Sequence, residues 1–186
     1  MKNPQDPERL HIAAFAQSEG QIEGAQPLLR FARLMELGGQ TVGMNPVVFS
    51  AQGSVRDDPA GTPEPWVHLH GSATLQLVCQ RCLGPVDTVV AFEQDFRFVA
   101  TEALAEVEDE ESDEDVLVIS TAFNLLELVE DELLMAVPLV PKHTTCPEAV
   151  RLQAADPGFV DKPPQRANPF AALGALKKPG GDGSDN

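Results

Sequence analysis

The sequence has few aromatic residues, few cysteines and no long apolar run. Phe, Trp and Tyr make up 5% of its 186 residues, and Tyr is absent. Three cysteines are an odd number that does not suggest a disulfide framework, so we expect reduced thiols. No apolar stretch approaches the roughly 20 residues that cross a bilayer, and the N-terminus lacks the pattern of a signal peptide. We therefore expect a cytoplasmic protein.

The sequence signatures of common enzymes are missing as well. The patterns GxGxxG, GxxxxGK[ST], HExxH and GxSxG do not occur. The carboxylates show no arrangement that suggests a pocket for acid–base chemistry. We therefore predict that the chain is not an enzyme.

Acidic residues dominate the charge. The formal net charge is −16, and residues 98–141 contain no Lys or Arg. Such a field repels phosphate backbone and attracts cationic partners, although a merely solvated surface would have the same composition. Direct RNA binding would have to use a few scattered cations, namely Arg30, Arg33, Arg166, Lys177 and Lys178.

Alternation of apolar and polar residues predicts the centre of the fold. Odd positions are mostly apolar over 67–79, and apolar residues recur at even positions over 86–98. Two such segments around a short connection with Gly84 predict an antiparallel hairpin with one buried face. Nine of the fourteen residues in 102–115 are acidic, which predicts an extended, solvated loop, with a short strand over 116–119.

Helix signals flank the hairpin. Apolar residues recur at helical spacing over 27–37 and a Gly pair follows, which predicts a short helix over 27–37. A strand is predicted over 42–55. Asn124 can cap a second helix that Pro138 limits and that should pack on the sheet. Its solvent-facing residues are predicted to be Glu127, Glu130 and Asp131.

These elements predict an α+β fold, an antiparallel sheet that can curl toward a barrel, with one or two packed helices. We expect a flexible tail over 1–9, a single domain over 10–155 that includes the acidic loop 102–115, and a flexible tail over 156–186. Segment 168–178 within the tail either binds a partner or folds back on its own domain. Its candidate partner-binding residues are Asn168, Pro169, Phe170, Leu173, Leu176, Lys177 and Lys178.

Cysteine and histidine residues suggest one metal site. Cys79 and Cys82 lie at the predicted hairpin turn, and His143 and Cys146 follow the second helix. Two such pairs can form a tetrahedral structural zinc site if the helix packs back on the hairpin. His68 and His70 are further candidates. Alternatively, Cys79 continues the buried alternation and the other thiols are unligated.

Three segments in this order resemble the YceD family: LVCQRCL at 77–83, LLELVEDELLMAVPLVPKHTTC at 125–146 and NPFAALGALKK at 168–178. Members of that family are described as needed for the accumulation, processing or stability of large-subunit (23S) ribosomal RNA. The resemblance implies an accessory factor in large-subunit biogenesis. Its partners would be ribosomal proteins or assembly and processing factors, with RNA contacted indirectly or weakly, and neither a membrane nor a small-molecule substrate. The alternative is a zinc- or thiol-dependent oxidoreductase that uses Cys79 and Cys82.

Overall fold

A computed structural model of the chain describes residues 6–37, 46–58, 61–109, 112, 114–147, 156, 158 and 159. The chain divides into two compact units, Met1–Val150 and Arg151–Asn186, and every helix and strand within the described ranges lies in the first. None of the helices in the described ranges combines the length and the apolar character needed to cross a membrane. The elements, in chain order, are α1 (Ile12–Gln17), β1 (Gln21–Gln26), α2 (Ala32–Leu37), β2 (Val47–Asp57), β3 (Pro63–Val78), β4 (Pro85–Val99), α3 (Glu102–Asp109), β5 (Asp115–Val118) and α4 (Leu125–Met135).

The five strands form one sheet in the order β1-β2-β3-β4-β5. The first three pairings are antiparallel, and β5 runs parallel to β4. β1 and β5 are the two edges, so the sheet is open, and the predicted curl toward a barrel does not reach closure. The α+β fold class is confirmed.

The predicted hairpin is the largest feature of the sheet. β3 and β4 pair without interruption from Trp66 opposite Arg97 to Val78 opposite Pro85. Alternate β3 side chains are buried, as expected for a strand with one face on the core. They share one cluster with side chains from α1, α2 and α4; the β3 members are Val67, Leu69, Ala73, Leu75 and Leu77.

Helix α4 begins where the sequence predicts. The Asn124 side chain accepts hydrogen bonds from the Leu126 and Glu127 amides at 3.2 and 3.4 Å, which satisfies two amides that lack helical partners. Its apolar stripe, including Val129 and Leu133, joins the core, and the helix contacts β3 and β4. The prediction that this helix packs on the sheet is confirmed.

The N-terminal region is more ordered than the sequence suggests. The Leu125 amide donates to the Pro7 carbonyl at 2.8 Å, and Leu10 forms an isolated antiparallel bridge with Phe123. Within the predicted tail, Pro7 therefore contacts the start of α4, whereas residues 1–5 lie outside the described part. Neither α1 nor β1 was predicted, because both are only six residues long.

The helix predicted over 27–37 is interrupted at Phe31. A 3-10 turn over Leu28–Arg30 precedes α2, and Phe31 between them has a non-helical backbone, with φ of −110° and ψ of 85°. This break lets Leu28, Phe31 and Leu34 all enter the core. The strand predicted over 42–55 corresponds to β2, although residues 42–45 lie outside the described ranges.

Glu130 on α4 caps the start of α2. Its carboxylate accepts from the amides of Arg33 and Leu34 at 2.8 and 3.2 Å and from the Arg33 side chain at 3.0 and 3.1 Å. The side chain of Phe31, which precedes α2, has no oxygen that could cap it. Glu130 is only 7% exposed, so its prediction as a solvent-facing residue is wrong.

The acidic segment is partly helical, which corrects the prediction of an extended loop over 102–115. Residues 102–109 form α3, and β5 follows from Asp115. The Thr101 hydroxyl accepts from the Leu104 amide at 3.3 Å, and Ala105 packs in a small cluster with Val99 and Val116. Arg97, just before the segment, contacts Glu108 at 2.8 Å. Capping, packing and this ion pair offset the repulsion among the carboxylates.

Glu130→Ala is expected to lower the free energy of unfolding by about 2–3 kcal/mol, because the Arg33 and Leu34 amides lose their charged acceptor. Glu127→Ala is the matched control, since Glu127 is exposed on the same helix, and it should change stability by less than about 1 kcal/mol. Urea denaturation of the two variants measures the difference. Equal stability of both variants would contradict the capping role.

Candidate metal centre

The connection between β3 and β4 is a compact turn that contains both cysteines of the CxxC pair. The Cys79 amide donates to the Gly84 carbonyl, and the Leu83 amide donates to the Cys79 carbonyl, each at 2.8 Å. Leu83 has a φ of 60°, in the left-handed region that residues with a Cβ rarely adopt. This conformation reverses the chain within a few residues. Cys79 and Cys82 therefore present their sulfurs to the same point.

The segment after α4 returns to this turn. The Gln80 amide donates to the Pro141 carbonyl at 2.9 Å, and the Arg81 guanidinium donates to the His143 carbonyl at 2.8 Å. The His143 amide in turn points at the Cys79 sulfur, 3.5 Å away. Residues 61 or more positions apart in sequence are thereby brought together.

Cys79, Cys82, His143 and Cys146 form one cluster. The Cys79 and Cys146 sulfurs are 4.0 Å apart, and the Cys82 sulfur is 3.4 Å from Nδ1 of His143. All four potential ligand atoms lie within 4.8 Å of one another. The cysteines are free thiols, since 4.0 Å is about twice the length of a disulfide bond. The cluster could hold a metal ion.

The thiols of this cluster ionise unequally. Burial raises the pKa of Cys79, but backbone N–H groups of Cys82, His143 and Arg81 point at its sulfur and lower the pKa to about 5. At Cys82 the Gly84 N–H lowers the pKa, whereas burial and the neighbouring sulfurs of Cys79 and Cys146 outweigh it and raise the pKa. The protein groups therefore favour a thiolate at Cys79 and a neutral thiol at Cys82. A thiolate at Cys82 as well requires a positive charge near the sulfurs.

Arg81 supplies part of that charge. Its Nε donates a hydrogen bond to the Cys146 sulfur at 3.1 Å. This hydrogen bond raises the pKa of the guanidinium, and the negative charge of Cys146 raises it further. The same side chain contacts the carbonyls of His143 and Thr144. Sequence reasoning missed this role of Arg81, although its place between two cysteines was a signal that it lies beside the sulfurs.

The other two histidines considered as ligands lie elsewhere. His68 contacts Asp95 through Nδ1 at 2.8 Å and Glu93 through Nε2 at 3.2 Å. It precedes Cys79 by eleven residues along an extended strand, a separation of about 36 Å at roughly 3.3 Å per residue. His70, two residues further along β3, is also outside the cluster. The candidate partner-binding residues at 168–178 lie outside the described part of the chain.

The fold and the cluster together define a small α+β protein whose long hairpin has cysteine and histidine side chains gathered at its turn. The model of the family described as Large ribosomal RNA subunit accumulation protein YceD matches residues 67–177. The match covers more than half of the sequence, and the chain belongs to the YceD family. The resemblance noted in the sequence is thereby confirmed. No solved structure matches this chain.

Leu83→Gly is expected to raise the free energy of unfolding by about 0.5–1 kcal/mol. A left-handed backbone destabilises a residue with a Cβ by about 1–2 kcal/mol, and glycine removes this cost. The greater entropy of glycine in the unfolded chain offsets about 0.5–1 kcal/mol of the gain. Little packing is lost, since Leu83 is 75% exposed.

The control for this variant is Leu139→Gly in the neighbouring segment. Leu139 is 99% exposed and lacks a positive φ, so glycine there should destabilise the protein. Thermal and urea unfolding of both variants test the difference. The strain assigned to Leu83 is absent if the two substitutions destabilise equally.

Proposed function

We propose that this chain supports the accumulation of large-subunit ribosomal RNA by binding basic proteins of the assembling large subunit, in the cytoplasm, and that it contacts the RNA weakly or indirectly. Its family supports the link to large-subunit RNA. The pairing of four arginines in the described part of the chain with carboxylates is the observation that favours proteins over RNA as direct partners. Contacts to phosphates need lysines and arginines that are free to neutralise them.

Most arginines in the described part of the chain already have anionic partners. Arg30 and Arg33, which the sequence offered as candidates for RNA binding, form ion pairs on the protein itself. Arg81 is bound to the cysteine cluster. The ion pairs are Arg30 with Glu8, Arg33 with Glu130 and Asp131, Arg56 with Asp95, and Arg97 with Glu64 and Glu108. Binding phosphate through these side chains would first break those pairs.

Acidic side chains are exposed around α3 and the end of α4, and we call this surface the acidic face. It includes the exposed Glu102 and Glu106 on α3 and Asp115 at the start of β5, with the half-buried Glu132 of α4 near Asp115. Burial raises the pKa of Glu132, and the charges of Asp115 and Asp131 raise it further, so these carboxylates are close enough to repel one another. A basic protein surface would relieve this repulsion.

Segment 168–178 is proposed as a second contact on the strength of its sequence. Its apolar residues recur at helical spacing, and two lysines follow them. A helix of about three turns is too short to be stable alone in water, so it would gain its order from a groove on a partner.

Deleting 168–178 should weaken capture of large-subunit proteins without changing the stability of the first unit.

Charge reversal on the acidic face tests the protein-mediated route. The double variant Glu102→Lys/Glu106→Lys should bind basic large-subunit proteins on the order of tenfold more weakly at low salt, because attraction is replaced by repulsion. Cells that carry only this variant should show a lower ratio of large- to small-subunit ribosomal RNA. Binding is measured with purified proteins, and the RNA ratio by electrophoresis of total RNA.

The double variant Glu23→Lys/Glu36→Lys is the matched control. Both of its positions are exposed on β1 and α2, and it changes the net charge by the same amount. It should leave the RNA ratio and most of the protein affinity unchanged. If both double variants lowered the protein affinity and the RNA ratio equally, the effect would come from the net charge and not from the acidic face. Tight binding of pre-ribosomal RNA with a steep salt dependence would refute the proposed indirect route.

A further inference from the structure

We propose that Cys79, Cys82, His143 and Cys146 bind one zinc ion, and that this ion fastens the segment after α4 to the β3–β4 turn. The role is structural and goes beyond the proposed function, which depends on a different surface. Four side chains from two distant parts of the sequence supply all the ligands. Any cysteine that is still protonated would release its thiol proton to solvent on binding, so the step involves no oxidation.

The distances agree with tetrahedral coordination. Zinc–sulfur bonds of about 2.3 Å place two sulfur ligands about 3.8 Å apart, and a sulfur and an imidazole nitrogen about 3.6 Å apart. The corresponding separations here are 4.0 Å between Cys79 and Cys146, and 3.4 Å between Cys82 and Nδ1 of His143. Small side-chain rotations suffice to bring the ligands to the metal.

The ligand types select zinc. Three thiolates and one imidazole are soft and borderline ligands, which suit zinc and not the oxygen-seeking magnesium or calcium. Four protein ligands fill a tetrahedral zinc site, and such closed sites are structural because no position remains for water or substrate. This geometry disfavours the alternative of a zinc-dependent oxidoreductase.

Groups around the sulfurs match what a zinc–thiolate centre needs. Zinc with three thiolates has a net charge of −1, and Arg81 places a positive charge beside Cys146. The His143 amide points at the Cys79 sulfur. Such outer contacts orient the ligands and commonly change metal affinity about 10- to 100-fold when they are removed.

The segment between α4 and Cys146 has few other means of attachment. Neither a helix nor a strand is present in the described residues after Met135. Leu139 and Val140 are exposed, so the apolar contacts of this segment are limited to partly buried residues such as Val137. The segment is held by polar contacts to the turn, chiefly the Gln80 amide to the Pro141 carbonyl. A metal bond to His143 and Cys146 would make this attachment firm.

Metal analysis of the purified full-length chain is the first test. The expected result is one zinc per chain, and cobalt exchanged into the site should show the charge-transfer and visible bands of tetrahedral thiolate coordination. Cys82→Ser and His143→Ala should each lose the bound zinc, and Arg81→Gln should bind it at least about tenfold more weakly. His70→Ala, on β3 outside the cluster, is the control and should retain it.

Hydrogen exchange on the wild-type chain keeps the test valid even if the ligand variants fail to fold. Removal of zinc by a chelator should accelerate exchange of the Gln80 and His143 amides, whereas amides shared by β1 and β2 should change little. Added zinc, but not magnesium, should restore the slow exchange.

Three results would overturn the proposal. These are a zinc content far below one per chain after growth with added zinc, full retention of zinc by Cys82→Ser, and a reversible Cys79–Cys82 disulfide in the purified protein. The last would favour thiol redox chemistry. None of these measurements involves ribosomal RNA, so their failure is distinguishable from failure of the proposed function.

Discussion

The uninterrupted register between β3 and β4 is the constraint on which the rest of this structure depends. Because strand side chains alternate with a period of two, a slip of one residue would turn the buried side of β3, including Leu69 and Leu75, toward solvent. The same register ends the pairing at Val78 and Pro85, which places Cys79 and Cys82 in the turn. Much of the core and two of the four candidate metal ligands are therefore positioned by one hairpin. α4 packs on this hairpin and directs the following segment back to its turn.

Features encoded by local patterns could be predicted from the sequence. Alternation over 67–79 and 86–98 predicts the hairpin because a half-buried strand imposes that period. Asn124 predicts the start of α4 because its side chain satisfies free amides wherever a helix begins. The grouping of Cys79 and Cys82 with His143 and Cys146 was also anticipated, since four ligand-type residues at the ends of two packed elements can meet. The first two inferences required no knowledge of distant contacts, whereas the third assumed that the helix packs back on the hairpin.

Features that depend on distant contacts could not be predicted. Glu130 lies on what looks like the polar side of its helix, yet it is buried because α2 has no capping side chain of its own. α3 forms within an acidic run because Thr101, Ala105 and Arg97 offset the repulsion among its carboxylates. These groups lie close to the segment in the sequence, but the charge pattern alone does not show that they contact it.

We propose that the hairpin turn and the segment after α4 meet in one zinc centre. X-ray absorption at the zinc edge of the purified full-length chain tests this proposal most directly, because it counts the ligands by type. We expect three sulfur ligands at about 2.3 Å and one nitrogen ligand at about 2.0 Å. A first shell of nitrogen and oxygen alone, or the absence of zinc from the protein, would contradict it.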